Sequence, residues 1–383
     1  MRKVVFISYV YLTEKYSRDW NIDHLIANGA TVEYWDIVAM TRGAYVENHR
    51  KTAGYVRAIN TFPELEVAIR LPENRNAIYF MMLPYSENFI RVFRLINKYN
   101  RQMIGIAWGG GPDFSEHRSR RLIKHLAHPL LLAKKIFAKV RMSTLVKAKF
   151  LYPYDTLFVA GEAMAANPQF AKKVVPINLV DYDHYMRVRQ GKRLTPAGRN
   201  AVFLDINLPH QSDLLICGLP VVAAKAYYHS LNRFFDLVES QFELKIVIAA
   251  HPKSDYDEST FHGRTFYRDR TAELVRDTEF VITHTSTALS YAILNLKPVL
   301  FIHTDEMLSL YENTVMRQLR AYSKYLDAPL LNIDRISDAQ QIEIGAPRTE
   351  RYERYKYDYL TTCASENTTT ADIFLNELRT MHA

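Results

Sequence analysis

Glycine is scarce in this chain of 383 residues, at 13 in all, which argues against the glycine-rich loops that cradle phosphate in many nucleotide-binding proteins. Cysteine is scarcer. Cys217 and Cys363 are the only two; far apart and without metal-ligand spacing, they form no zinc motif and no disulfide framework, so a reducing compartment is expected. No apolar run approaches the roughly 20 residues that span a bilayer. Residues 1–10 carry two basic side chains and a short apolar run, but Glu14, Lys15, Arg18 and Asp19 follow without a small-residue cleavage site, so this reads as a first strand and not a signal peptide. GxSxG, HExxH and paired CxxC motifs are absent, as are repeats and low-complexity tracts.

What is present is a globular composition, 48% hydrophobic and 23% charged, at a length that suits two domains each burying its own core. The 25 tyrosines and 19 phenylalanines point to aromatic-rich cores or sugar-facing surfaces. Residues 4–10, 31–38, 77–83 and 103–108 read as strands, with helical patterns at 22–27, 55–70 and 87–97. Such alternation predicts a parallel sheet covered on both faces. The fourth strand runs into Gly109-Gly110-Gly111-Pro112-Asp113, the densest glycine cluster, which reads equally as a ligand approach or a tight turn. Further strands are expected at 154–160 and 174–177. An exposed charged connection at 187–199 then leads into a second α/β series beginning at 201–204.

Residues 117–150 hold ten Lys or Arg residues and no acid, exceeding the formal net charge of +8 of the whole chain. Leucine, isoleucine, phenylalanine and valine are interleaved with them. The pattern suits an anionic membrane surface, where each cation contributes about 1 kcal/mol; a solvated helix packed on its own domain is the competing reading. A nucleic-acid partner is not expected, because no stacking platform or groove-reading motif accompanies the charges.

The stretch 245–302 carries the chemistry. Two short β-branched runs, 245–250 and 280–283, have the length of buried parallel strands. The first ends in His251-Pro252-Lys253, the second in His284-Thr285-Ser286-Thr287 before a helical run. In an open α/β sheet, ligands bind beyond the carboxyl ends of the strands, so both polar clusters should face one cleft. Hydroxyls where a helix begins suit an anion, and a phosphate-binding half-site is the resulting expectation. Plain N-capping is the alternative for Ser286 and Thr287.

Two Rossmann-like halves with anion-binding features in the second describe the GT-B architecture, two such domains facing across a cleft. Particular residues resemble that class of nucleotide-sugar glycosyltransferases. His251-Pro252 resembles the HP motif, and Ser286-Thr287 the paired-hydroxyl motif, of bacterial sialyltransferases and related CMP-sugar enzymes. The wider pattern FLDINLPHQSD, IVIAAHPKS and FVITHTSTALSYAILNLKPVLFI is similar to bacterial capsule and lipopolysaccharide transferases, including those for 3-deoxy-manno-octulosonic acid (Kdo); it covers residues 201–302. The resemblance implies an inverting, metal-independent transfer of an acidic sugar from a CMP donor to a bacterial surface glycan, with a lipid-linked acceptor. It implies no cofactor beyond the nucleotide sugar; the scarce cysteines point to a cytoplasmic protein, and the basic segment 117–150 would place it at the inner face of the membrane. His251, Ser286 and Thr287 would contact the donor phosphate, with Pro252, Lys253 and Thr285 beside them.

An inverting transfer needs a base for the acceptor hydroxyl's proton. Asp205, Asp213 and Asp113 are the carboxylate candidates, and His251 completes the catalytic set. Tyr267-Arg268-Asp269-Arg270 is a candidate wall for the nucleotide base, with Arg268 and Arg270 as donor contacts. Asp181-Tyr182-Asp183 and Asp255-Tyr256-Asp257 spell DxD, but neither follows a strong strand, and no metal is expected. The domain reading is 1–185 for the acceptor side, 200–345 for the donor side, and 346–383 as a helical tail packing back on the first domain. A CDP-glycerol-type polyol-phosphate transferase and a non-catalytic nucleotide-sugar binding subunit are the rival readings. A nucleotide-sugar 2-epimerase is a further rival, but no SGG-type phosphate loop stands at Thr285-Ser286-Thr287.

Overall fold

The computed structural model describes residues 2–41, 50–108, 111–112, 144–145, 150–165, 171–192, 194, 199–211, 214, 219–257 and 259–381. Contacts divide the chain into two compact units. One comprises Met1–Gly110, Ser115–Val180 and Thr361–Ala383; the other comprises Gly111–Phe114 and Asp181–Leu360. The chain therefore rejoins the first unit at Thr361, where the sequence reading set 346.

The first unit is built on seven parallel strands: β1 (Val4–Ser8), β2 (Val32–Asp36), β3 (Val56–Ala58), β4 (Ile78–Met82), β5 (Gln102–Ala107), β6 (Tyr154–Ala160) and β7 (Ala171–Ile177), in the order β3-β2-β1-β4-β5-β6-β7. Alternate residues of one strand point to opposite faces. Val5, Ile7 and Trp35 accordingly join one apolar core, with Leu65, Phe93 and Ile96, while Val4, Phe6 and Tyr34 join the other. The helix Thr370–Thr380 closes that second face through Phe374, Leu375 and Leu378, and the Phe374 ring lies 4.5 Å from that of Phe158.

Residues 55–70, read as one helix from sequence, divide into β3 and the helix Phe62–Arg70. Thr61 is the reason. Its backbone is extended (φ −137°), its hydroxyl accepts from the Glu64 amide, and Pro63 sits in the first turn, so the helix cannot start earlier. Val56 is thereby left to pair with Tyr34 of β2.

The second unit repeats the plan with six parallel strands: β8 (Asn200–Leu204), β9 (Lys245–Ala249), β10 (Phe266–Tyr267), β11 (Val281–Thr283), β12 (Val299–His303) and β13 (Leu330–Asn332), ordered β10-β9-β8-β11-β12-β13. β8 and β12 are buried along their whole length, as expected of parallel strands covered on both faces. The helix Ala224–Phe242 connects β8 to β9 and buries Leu231, Phe234, Phe235 and Val238. Strand order reverses between β8 and β11, so the carboxyl ends of β8, β9 and β11 flank a topological switch point, where open α/β sheets bind ligands. Among the described residues no helix is long and apolar enough to cross a membrane.

Candidate functional site

β8 delivers Asp205 to the switch point. Its amide donates to the Ala249 carbonyl at the end of β9 (3.1 Å), and the residue is buried. Oδ2 accepts from the Asn207 amide at 2.7 Å and from the Tyr256 hydroxyl. Asn207 adopts a left-handed conformation (φ 51°), which asparagine tolerates, and an aspartate bonding the amide two residues on is an Asx turn. Burial pushes the Asp205 carboxyl up to about 6, against the Tyr256 hydroxyl and the amides of Asn207, Ile206 and His251, which favour the charged form. Desolvation wins because each bond removes only part of the cost of a buried charge.

β9 continues through Ala250, whose amide donates to the Tyr267 carbonyl (2.9 Å), into His251-Pro252-Lys253. The Lys253 amide donates to His251 Nδ1 at 3.1 Å. A neutral imidazole that accepts at Nδ1 carries its proton on Nε2, so Nε2 is the donor nitrogen of this ring. The His251 carbonyl accepts from the Ser254 amide (2.9 Å) and hydroxyl (2.6 Å), folding the turn back on itself. Arg268 donates to the Ser254 carbonyl at 3.2 Å and lies 5.1 Å from the Phe266 ring centroid. Pro252 and Lys253 are exposed. Arg270 pairs with Glu273 at 2.9 Å.

β11 leads into His284, which is fully buried. Its Nδ1 lies 2.6 Å from the Ile302 carbonyl and so donates to it; Nε2 therefore accepts from the Tyr227 hydroxyl at 2.9 Å. Burial pushes this imidazole down to about 4, helped by neighbouring His303 and opposed by the Ile302 carbonyl. His284 is thus a neutral part of the framework, with both ring nitrogens engaged. Thr285 and Ser286 are half-buried and Thr287 is exposed. The Ser286 hydroxyl accepts from the Ala288 amide at 3.2 Å, and the helix proper begins at Leu289 after an Ala288 N-cap. The hydroxyl cluster therefore lies on a turn one step before the helix, not on its cap.

Three buried polar side-chain atoms at these strand ends, Asp205 Oδ1, Asn207 Oδ1 and Thr283 Oγ1, have no hydrogen-bond partner among the described residues. Thr283 and Leu204 are register partners, so two of the three lie on adjacent strand ends. Buried polar atoms without partners are uncommon, and clustered ones call for an explanation.

The first acid of one DxD spelling and the last acid of the other are hydrogen-bonded within the chain. Asp181 accepts from the hydroxyls of Ser290 and Tyr291 (3.3 Å). Asp257 Oδ1 accepts from the Ser259 hydroxyl (2.7 Å) and from the Thr260 amide and hydroxyl (both 2.9 Å). Asp213, Asp113 and residues 117–143 and 146–149 of the basic segment lie outside the described residues.

Tyr227, Tyr228 and Tyr256, all within electrostatic reach of Asp205, are the site residues that sequence reading missed. The tyrosine count was a signal, but the pairing of Tyr256 with Asp205 spans 51 positions and has no local signature.

No protein-family model matches the chain, and no curated protein matches it in sequence. Solved structures do. The wall teichoic acid polymerase TagF is similar at a TM-score of 0.50 and 12% identity, over 100% of this chain and 88% of that one. The glycosyltransferase SnogD from Streptomyces nogalater scores 0.49 at 12% identity, over 100% and 99%. MurG from Acinetobacter baumannii scores 0.47 at 8% identity, over 99% and 100%. At such identities the likeness is one of fold. Two parallel sheets in Rossmann order, with the likeness in fold to the wall teichoic acid polymerase, make this a GT-B fold of two Rossmann-like units in one chain.

Proposed function

We propose that the chain is an inverting, metal-independent glycosyltransferase that moves an acidic sugar, Kdo or sialic-acid-like, from a CMP donor onto a bacterial surface glycan. One observation carries the reading. Beyond the carboxyl ends of β8, β9 and β11 stand a buried carboxylate, a ring N–H donor and a hydroxyl-bearing turn, with buried polar atoms that have no partner among the described residues.

In this reading His251 Nε2–H and the hydroxyls of Thr285, Ser286 and Thr287 hold the donor phosphate, with Lys253 and Arg268 adding positive charge. The acceptor oxygen bonds to the anomeric carbon as the bond to the phosphate oxygen breaks, and the electron pair leaves with CMP. Donors aimed at that phosphate act most strongly as its charge develops. Asp205 takes the acceptor hydroxyl's proton at Oδ1. A carboxyl near pKa 6 is mostly ionised at neutral pH yet more basic than an exposed one, which suits a general base. The acceptor is lipid-linked, and the basic segment 117–150 holds the protein at the inner face of the cytoplasmic membrane.

A CDP-glycerol-type polyol-phosphate transferase is the second reading, favoured by the likeness to a wall teichoic acid polymerase. Thermal-shift measurement with CMP, CDP, UDP and GDP tests the donor class, and a preference for UDP or GDP would remove both readings. Release of CMP from a CMP-sugar without acceptor separates an enzyme from a nucleotide-sugar binding subunit. Release of CMP from CDP-glycerol, with none from CMP-sugars, would decide for the second reading. Chelation with EDTA should leave turnover unchanged.

A further inference from the structure

A groove of about 750 Å³ runs between the first half of the helix Ala224–Phe242 and the loop that follows β9. Lys225, Tyr228 and His229 line it from the helix, and Ser259, Thr260 and His262 from the loop. Lys225 and His229 stand four residues apart and share one helix face. His262 meets them from the opposite wall, in a left-handed conformation (φ 51°) that non-glycine residues seldom adopt.

The side chains of Lys225, His229 and His262 have neither an ion-pair nor a hydrogen-bond partner among the described residues. No carboxylate lines the groove among those residues. Asp257, next along the loop, accepts three hydrogen bonds from Ser259 and Thr260 and so braces the wall. At the helix N-cap the Ala223 amide donates to the Glu306 carboxylate at 3.1 Å.

The groove adjoins the candidate site. Tyr228 packs its ring against Phe261 at 5.5 Å, and the same Phe261 contacts Tyr256 at 5.0 Å, whose hydroxyl donates to Asp205. Burial, and after it the Asp205 charge, raises the Tyr228 phenol. An aromatic wall, the Lys225 ammonium, two imidazoles and hydroxyls in an open channel beside the proton acceptor match a sugar ring that bears an anionic group.

We propose that this groove is a glycan subsite for an anionic sugar residue, carboxylated or phosphorylated, of the acceptor that extends away from Asp205. The inference rests on the reading of Asp205 as the proton acceptor. A sugar carboxylate and a sugar phosphate both offer negative charge to Lys225, His229 and His262, the phosphate more of it, so the probes include both.

The test is direct binding of the full chain to a short oligogalacturonate, to glucose 6-phosphate and to a neutral malto-oligosaccharide, at low and high salt. The parent is compared with the double variant Lys225→Glu, His262→Glu. At least one anionic probe should bind more tightly than the neutral one, with an affinity that falls as salt screens the groove. The double variant should weaken that binding by about five-fold or more, the upper range for exposed charge pairs, and leave neutral-probe binding unchanged. An unaltered apo melting temperature shows that the variant is folded; if it is not, Lys225→Gln alone carries the comparison. Equal binding of charged and neutral probes, or a folded variant that binds like the parent, overturns the proposal. The thermal shift with CMP is read separately. Its absence in the parent would overturn the donor reading while the groove result still stands or falls by itself.

Discussion

Replacing Asp205 by asparagine should remove one large pH-dependent stability contribution. The Asp205 carboxyl sits at about 6 in the folded chain against 3.8 ordinarily. Two units correspond to about 3 kcal/mol at about 1.4 kcal/mol per unit. With the folded pKa above the unfolded one, this contribution is fully present below 3.8 and is lost as pH rises through 6. At pH 7 the folded protein therefore carries the whole cost of the buried charge. Asparagine keeps a carbonyl oxygen for the Asn207 amide and the Tyr256 hydroxyl but has no charge to bury. It also places an amide NH2 near the unpartnered Oδ1 position, which costs about 1 kcal/mol or more if it finds no acceptor. That cost does not depend on pH. The difference in unfolding free energy between Asp205→Asn and the parent should therefore move in the variant's favour by about 3 kcal/mol between about pH 4 and about pH 7.5. His284 makes the contrast sharper. Its imidazole is lowered to about 4 from 6.5, so its contribution is present above 6.5 and lost as pH falls towards 4. In the parent the two linkages oppose each other; in the variant only the histidine remains. Urea denaturation of both proteins across that range, with turnover measured in parallel, is the assay. A stability difference that stays flat with pH refutes the burial argument. Turnover within about ten-fold of the parent refutes Asp205 as the base, since general bases contribute at least about 100-fold.

Tyr256→Phe removes a hydrogen bond to a carboxylate, a loss of about 1.5–3 kcal/mol. The Asp205 pKa should rise by about 1–2 units, so the acid limb of the kcat/KM profile moves to higher pH while the rate on the alkaline plateau is largely kept; an unmoved limb would separate Tyr256 from the base. His251→Ala should weaken CMP binding by about ten-fold or more, the value of one hydrogen bond to a charged group, as read by titration calorimetry, with little change in melting temperature. His284→Ala strands the Tyr227 hydroxyl and the Ile302 carbonyl in the core and should cost about 2–5 kcal/mol of stability; a variant as stable as the parent in urea would contradict the framework role given to this histidine.

Periodicity carried much of the fold. The apolar runs that became β8, β9 and β11 were legible because a strand buried on both faces needs an unbroken apolar stretch, and the helix Ala224–Phe242 carries Leu231, Phe234, Phe235 and Val238 at helical spacing. β3 was not. Three residues, two of them exposed, carry no periodic signal, and only the cap at Thr61 and pairing with β2 set them apart from the helix that follows. The short β13 escaped for a related reason, since its residues are only half-buried. Within the site, His251 and the run Thr285-Ser286-Thr287 stood out because polar residues directly after apolar strands are conspicuous in a linear text. His284 stood out equally, and it was its surroundings that made it part of the framework.

The sequence by itself determined that two α/β halves share this chain, and that polar residues follow two strands of the second half. Those are consequences of local composition and spacing, which precede any long-range contact. Only the tertiary structure decided what those residues are. It put Asp205 where desolvation outweighs its hydrogen bonds. It set the His251 proton on Nε2 through a backbone amide and closed both nitrogens of His284 with partners 57 and 18 positions away. Protonation state and donor direction depend on burial and on distant partners, and neither is written in the order of residues.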